Sequence, residues 1–470
     1  MRRLLVQIFP LSIALILIQL SYPEIMLNSF IMTMVISVIF LTFNGQRPGI
    51  HALTRLNDRH RFFEDLTARM KSGEPFQTFV INLKNFSSVN IKYGHLFGDE
   101  VLYQFAFSLE KLIKDSDAYH LNGTVFALVL PCANQQIAEK NRTAVINYVD
   151  NGVVCNGEPV SGEYVIVEYI SDNNYNDAEQ LYELLEYASN KARMSKLNYL
   201  ACTEELTEEM QRRRYLFERL QHIDRAHGFN VWYQPIKHLA SNEYASMEAL
   251  MRIVEPDGSV ISPAEFIPIA EHIGAVSTFT WFVLEETCRM LRDNPVLEGV
   301  RVGINMPISQ MLDNGFVARV NSIVDKYGVA HERIAFEFTE REILENFASA
   351  KRTMGRMAGA GYSFFLDDFG AGYSNFVCLL QLPFQCIKLD MQLVRMDIDN
   401  NGKERMGLIR TLTGFLHKMG LAVVAEGVEN EAVAETMCSI GVDKVQGYVY
   451  AKPMPEEKVL GFYEGLKKQL

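Results

Sequence analysis

The sequence predicts an α/β protein. Its C-terminal half is a (β/α)8 barrel of the TIM type, preceded by a smaller α/β domain and an N-terminal transmembrane helical hairpin. Three observations carry this. From Phe229 onward, short β-like runs alternate with helical patterns over roughly the 250 residues that such a barrel requires. Between Pro48 and Asn198, strand-like and helix-like segments mix on a shorter scale. The first 43 residues hold two long apolar runs with few charges. The implied divisions are 1–47 (hairpin), 48–198 (first α/β domain), 199–227 (linker helix) and 228–470 (barrel). At 470 residues, 48% of them hydrophobic, each domain can bury a core. A net charge of -12 argues against a nucleic-acid polymer held by a diffuse basic surface, but not against a small anion held through metal ions. The seven cysteines are scattered and never at CxxC spacing, as expected of reduced packing residues rather than a disulfide frame or zinc site.

Leu4 to Leu20 and Ile25 to Phe43 are the two apolar runs. At 1.5 Å per residue they span roughly 26 and 28 Å, enough for a thin bilayer. A signal peptide is the competing reading, since Arg2 and Arg3 precede the first run. No small-residue cleavage site follows, and a second apolar run comes at once, which favours a hairpin. Arg2, Arg3, Arg47, Arg55 and Arg59 flank its outer ends, so both termini and both domains should face the cytoplasm. In the next domain the patterns predict helices over 59–71, 98–114, 135–147 and 178–196. They also predict strands over 76–83 and 163–170, and a β-hairpin over 118–130.

The order of motifs in this domain resembles the diguanylate cyclase, or GGDEF, family. The opening motif appears as HALTRLNDR (51 to 59) and the N-D-x-x-G-H-x-x-G-D segment as NIKYGHLFGD (90 to 99). The resemblance departs where the chemistry would be. The signature hairpin reads Asn122, Gly123, Thr124, Val125, Phe126, and the metal-binding aspartate of the first strand is Asn82. An amide and a hydroxyl cannot replace carboxylates that hold Mg²⁺ on a triphosphate. The inhibitory R-x-x-D is absent at Ile113 and Ser116, and the triphosphate clamp matches only loosely at Arg193, Lys196 and Leu197. Asn90 and Asp99, which the family uses around guanine, are retained, so GTP binding as a regulatory input is conceivable. A purely structural or dimerising role is the alternative.

The linker, Glu204 to His227, is charged and helical in pattern, with Met210, Leu216, Leu220 and Ile223 near helical spacing. It is either a solvated connector or a transmitter of the first domain's state. In the barrel the polar ends of the runs share a parity. Ser246, Glu248, Leu250 and Arg252 lie on one face, as do Arg301, Gly303 and Asn305, then Ala335, Glu337 and Thr339. Lys388 pairs in parity with Asp390, and Ala422, Val424 and Glu426 share a face, with Gln446 after the run VDKV. Barrel strands alternate between lumen and helix layer, so these groups can converge at the C-terminal mouth. The stretch LDDFGAGYSN (366 to 375) ends one such run in two adjacent carboxylates, Asp367 and Asp368. By itself it reads equally as an acidic turn. Singly, Glu248 could start a helix, Asn305 cap one, and Lys388 pair with Asp390. Together, so many buried charges are costly unless cations compensate.

These motifs are similar to those of the EAL family, phosphodiesterases acting on cyclic di-GMP. They are YQP (233 to 235), EAL (248 to 250) with Arg252, PAEFIPIAE (263 to 271), Asn305 with Gln310, EFTE (337 to 340), DDFGAGYS (367 to 374), KLD (388 to 390), AEGVE (425 to 429) and QGY with Pro453. The resemblance implies that Glu248, Asn305, Glu337 and Asp367 hold one metal, with Asp367 and Asp368 contributing to a second. It implies that Lys388 and Glu426 position or deprotonate the attacking water and that Gln446 supports the site. Gln234 and Arg252 would meet the substrate, Arg252 at a phosphate, and Glu340 would anchor the loop 370 to 375. Oxygen ligands with one amide suit Mg²⁺ or Mn²⁺ better than zinc. The family departures are Ile253 for Trp, Pro307 for Ser and Asn375 for Ser, none of which removes a ligand. The implied activity is hydrolysis to linear pGpG, with a homodimer expected. The alternative is a non-catalytic cyclic di-GMP receptor signalling to a protein partner.

Overall fold

The computed structural model describes residues 49–155, 157–160, 162–171, 175, 177–370, 376–394 and 402–468. The expected hairpin, 1–47, and most of the loop after Asp368 (371–375, including Tyr373 and Ser374) lie outside the described residues. Among those described, no helix is long and apolar enough to cross a membrane. The chain forms two compact units, Met1–Gln211 and Arg212–Leu470, which divide inside the helix Glu204–Arg219.

The first unit is a six-stranded sheet. Its spatial order is Asn57–Asp58, Asp117–Asn122, Val125–Pro131, Phe76–Leu83, Tyr164–Ile170 and Tyr199–Ala201. The central strand, Phe76–Leu83, is antiparallel to both neighbours and buried along six residues, with Phe76 and Val80 packed into one core and Phe79 and Ile81 into the other. Two hydrophobic clusters result, one containing Phe62, Val167 and Leu185, the other Phe79, Phe105 and Ile166. The helix expected at 98–114 runs from His95 to Glu110, and a further helix, Phe86–Tyr93, precedes it. That helix buries no residue, so its sequence carries no apolar period to reveal it.

In the second unit, eight strands close on themselves in chain order: Phe229–His238, Ser246–Val254, Arg301–Asn305, Ile334–Thr339, Ser363–Phe369, Cys386–Leu389, Ala422–Ala425 and Lys444–Val445. Strands two to eight are parallel, with a helix crossing between most neighbours. The first strand corrects the regular (β/α)8 expectation. It pairs antiparallel with the second and with the eighth, where it closes the barrel. Only seven residues separate it from the second strand, too few for a helical crossover, so the chain makes a β-hairpin there. A layer of Ile236, Ala335, Phe365, Cys386 and Val424 fills the lumen beneath the mouth. Leu216, Leu220 and Ile223, placed in the linker by sequence, pack with Phe229, Ile253 and Phe266.

Candidate active site

Glu248, Asn305, Glu337, Lys388, Glu426 and Gln446 meet at one end of the lumen, whereas Ser246 and Arg301 pair at the strands' other end. Glu248 lies opposite Gln234 across the antiparallel pair, and Asn305 beside Glu337 across a parallel one. Lys388 is at the centre, 1% exposed. Its Nζ donates to Glu337 Oε2 at 2.6 Å and Glu248 Oε2 at 3.1 Å, and lies 2.7 Å from Glu426 Oε1 and 3.2 Å from Asp367 Oδ1. The remaining contacts orient Glu248: Asn305 Nδ2 donates to its Oε1 at 2.7 Å and Gln446 Nε2 to its Oε2 at 2.7 Å. Gln446 also donates to Gln234 Oε1 at 3.1 Å, and Gln234 donates to the Ala451 carbonyl at 3.0 Å.

The two adjacent aspartates reach the same mouth through a β-bulge. Pairing of the fifth strand with the sixth slips between Leu366 and Phe369, and Asp368 takes φ 54°, a left-handed conformation rare outside glycine. Consecutive strand residues normally face opposite sides, so the bulge is what lets Asp368 join Asp367. Carboxylate oxygens of Glu248, Glu337 and Asp367 lie within 4.8 Å of one another, as do those of Asp367, Asp368 and Glu426, with Asp367 common to both groups. All but Glu337 line a cavity of about 460 Å³.

Crowding sets the proton affinities. Burial pushes Glu337 well above the usual carboxylate range, helped by Glu248 and Asp367 and opposed by Lys388. Burial and the Glu248 charge likewise raise Asp367, against Lys388. Asp368 is pushed up to about 6 by burial, Asp367 and Asp390, and Glu426 up to about 8 by burial, Asp367 and Glu248, with Lys388 opposing. At Glu248, burial is outweighed by the Lys388 ammonium and the bonds from Gln446 and Asn305, so its carboxyl lies below the usual range. Burial opposes the charge on Lys388, but four carboxylates hold its ammonium well above the ordinary lysine value. One ammonium cannot neutralise five carboxylates, and Glu337 Oε1 is buried without a hydrogen-bond partner. The donor set, carboxylate oxygens and an amide, fits hard divalent cations.

Arg252 is half-buried on the same strand as Glu248, donates to the Met251 carbonyl at 2.8 Å, and stands 5.9 Å from the Trp232 ring centre. Glu340 is buried at the start of the helix Glu340–Glu345 and belongs to neither carboxylate group. Asp390, read from the sequence as sharing a face with Lys388 or pairing with it, is buried, lines the cavity and raises Asp368. In the first unit, Asn82, Thr124, Lys84, Arg193 and Lys196 line a cavity of about 960 Å³. The hairpin beside it is pinned by His120, whose Nε2 is 2.9 Å from the Gly123 carbonyl.

Barrel and mouth together define a class: a TIM-like barrel with a cation-seeking acidic site at the C-terminal ends of its strands. The chain belongs to the EAL family: residues 218–453 match the EAL domain, and residues 50–198 match the GGDEF domain described as diguanylate cyclase. It is similar to the cyclic di-GMP phosphodiesterase PA2567 of Pseudomonas aeruginosa (26% identity; 86% of this chain, 70% of the relative). It is also similar to the biofilm architecture maintenance protein MbaA of Vibrio cholerae (27%; 86% and 52%) and to the cyclic di-GMP phosphodiesterase NbdA of Pseudomonas aeruginosa (26%; 87% and 53%). The chain thus spans about half the length of the latter two. Among solved structures, the EAL enzyme Bd1971, in a form with cAMP and cyclic di-GMP bound, matches at TM-score 0.50 and 20% identity. That match covers 72% of this chain and 81% of that one, and is a likeness of fold.

Proposed function

We propose that the barrel opens cyclic di-GMP to linear pGpG by metal-assisted attack of water. The observation that carries this reading is the complete acidic set around Lys388 in an EAL-family chain, with Asp367 shared between two groups of three carboxylates. Glu248, Asn305, Glu337 and Asp367 are the ligands of one site, and Asp367 and Asp368 belong to the second. Bound Mg²⁺ or Mn²⁺ supplies the Lewis acidity that a resistant phosphodiester needs. The chain's own groups do the rest. Glu426, with its raised proton affinity, takes the proton of the attacking water, and Lys388, which stays charged, stabilises charge on the phosphorane oxygens. Gln234 and Arg252 meet the substrate, Arg252 at a phosphate, and Gln446, which also donates to Gln234, holds Glu248 in its orientation.

The GGDEF domain on this reading is degenerate and makes no cyclic di-GMP, because Asn82 and Thr124 stand where carboxylates are needed. It serves as a regulatory or dimerising module, with GTP as a candidate input at the cavity lined by Lys84, Arg193 and Lys196. A homodimer is part of the reading; exposed Leu408 and Phe415, seven apart on one helix, are consistent with it. So is a membrane anchor at 1–47 with both domains in the cytoplasm of a bacterial inner membrane. The test is to incubate the chain with GTP and Mg²⁺ and assay for cyclic di-GMP, then to measure cyclic di-GMP hydrolysis with and without GTP. Synthesis from GTP would contradict the reading of the first domain. Loss of metal-dependent hydrolysis in Glu248→Ala, with the chain still folded, supports the barrel site.

A further inference from the structure

Gly303 sits on the lumen face of the third strand, level with Glu248 on the second. A β-carbon placed on it would lie 1.8 Å from Glu337 Oε1, 2.8 Å from its Cδ and 3.4 Å from its Cγ. These are the three nearest atoms, all from one side chain. The Glu337 carboxylate therefore fills the volume that any other residue at 303 would claim. Its second oxygen, Oε2, is fixed by Lys388 at 2.6 Å, so the carboxylate plane is held between an ammonium on the sixth strand and a missing side chain on the third. Gly303 has no turn or positive φ to explain it: it lies in regular parallel pairing, where glycine ordinarily weakens a strand.

We propose that Gly303 is a positioning residue, acting through Glu337 to set the orientation of the carboxylate that holds a divalent cation. The proposal rests on the metal-site reading above. An added methyl can be accommodated only if the end of the Glu337 side chain swings aside. The change should therefore spare the fold and disturb the ligand. Removing a group that orients a ligand typically lowers metal affinity by roughly 10- to 100-fold.

The test is direct titration of the full chain with Mn²⁺, following free Mn²⁺ by electron paramagnetic resonance, alongside thermal melting in chelator. Gly303→Ala should weaken Mn²⁺ binding by roughly 10- to 100-fold, with little change in the metal-free melting midpoint. Added to Glu337→Asp, whose carboxylate is one methylene shorter, Gly303→Ala should weaken binding much less than it does alone. Unchanged Mn²⁺ affinity in folded Gly303→Ala, or additive losses in the double variant, would overturn the proposal. If Gly303→Ala proves unstable, melting is compared in a Glu337→Ala background. There the destabilisation should vanish; its persistence at full size would place the clash elsewhere and overturn the proposal. No Mn²⁺ binding by the unsubstituted chain would instead overturn the metal reading itself.

Discussion

Lys388 is held by carboxylates on three strands and by Glu426, just past the end of a fourth, and its removal leaves them facing one another without that buried counter-ion. Lys388→Ala should lower turnover by roughly 10²- to 10⁴-fold, the range of a positioned acid–base or charge-stabilising group. In metal-free buffer it should also lower the melting midpoint, because breaking a buried ion pair costs about 3–5 kcal/mol. Saturating Mn²⁺ should recover much of that stability and little of the turnover. Steady-state hydrolysis and melting with and without metal separate the two effects. Glu426 yields a pH prediction of definite sign. Its folded-state value of about 8 exceeds the ordinary 4.5, so in this window the folded chain keeps a proton that the unfolded chain has lost. Its contribution to metal-free stability therefore falls as pH rises from about 4.5 to about 8. Relative to Glu426→Gln, the unsubstituted chain should lose melting temperature across that range; parallel curves would contradict the assignment. The convergence of Glu248, Asn305, Glu337 and Lys388 at one mouth was legible in sequence because they share a parity within their strands, whereas their roles as ligands came from the family resemblance. Gly303 was given no role because it acts through what it lacks, and Asp390 was read only as sharing a face with Lys388 or pairing with it.

Among the elements, the fifth strand and the linker helix show where pattern reading stops. The adjacent pair Asp367 and Asp368 could be read from sequence, but alternation predicts that they diverge; only the bulge and the left-handed φ of Asp368 bring both to the mouth. The helical spacing of Leu216 and Leu220 was visible too, and left open whether the helix is solvated. Both are almost fully buried against Phe229, Ile253 and Phe266. Leu220→Ala should therefore destabilise the barrel unit by about 2–5 kcal/mol, the cost of emptying a core position, in denaturant titration of its transition. A change within a few tenths of a kcal/mol would mean a solvated connector. The reversed first strand was not legible, since its alternation is the same whichever way it runs. Its short link to the second strand was the available signal.

Across the whole molecule, the barrel unit gathers two groups of three carboxylates, while the other unit has an amide, Asn82, and a hydroxyl, Thr124, where the family resemblance implies carboxylates. That asymmetry makes the central claim one of direction: the chain consumes cyclic di-GMP and does not make it. Metal should also couple to stability. Mn²⁺ at about 100 times its dissociation constant should raise the stability of the barrel unit by about 2.7 kcal/mol, seen as a shift in its melting transition that chelator reverses. The most direct measurement incubates the chain with cyclic di-GMP and Mg²⁺ or Mn²⁺, with and without chelator, and separates the products by chromatography. The account predicts linear pGpG with metal, none with chelator, and none above background from Lys388→Ala. Cyclic di-GMP bound tightly yet recovered intact with either metal would contradict it and make the barrel a receptor.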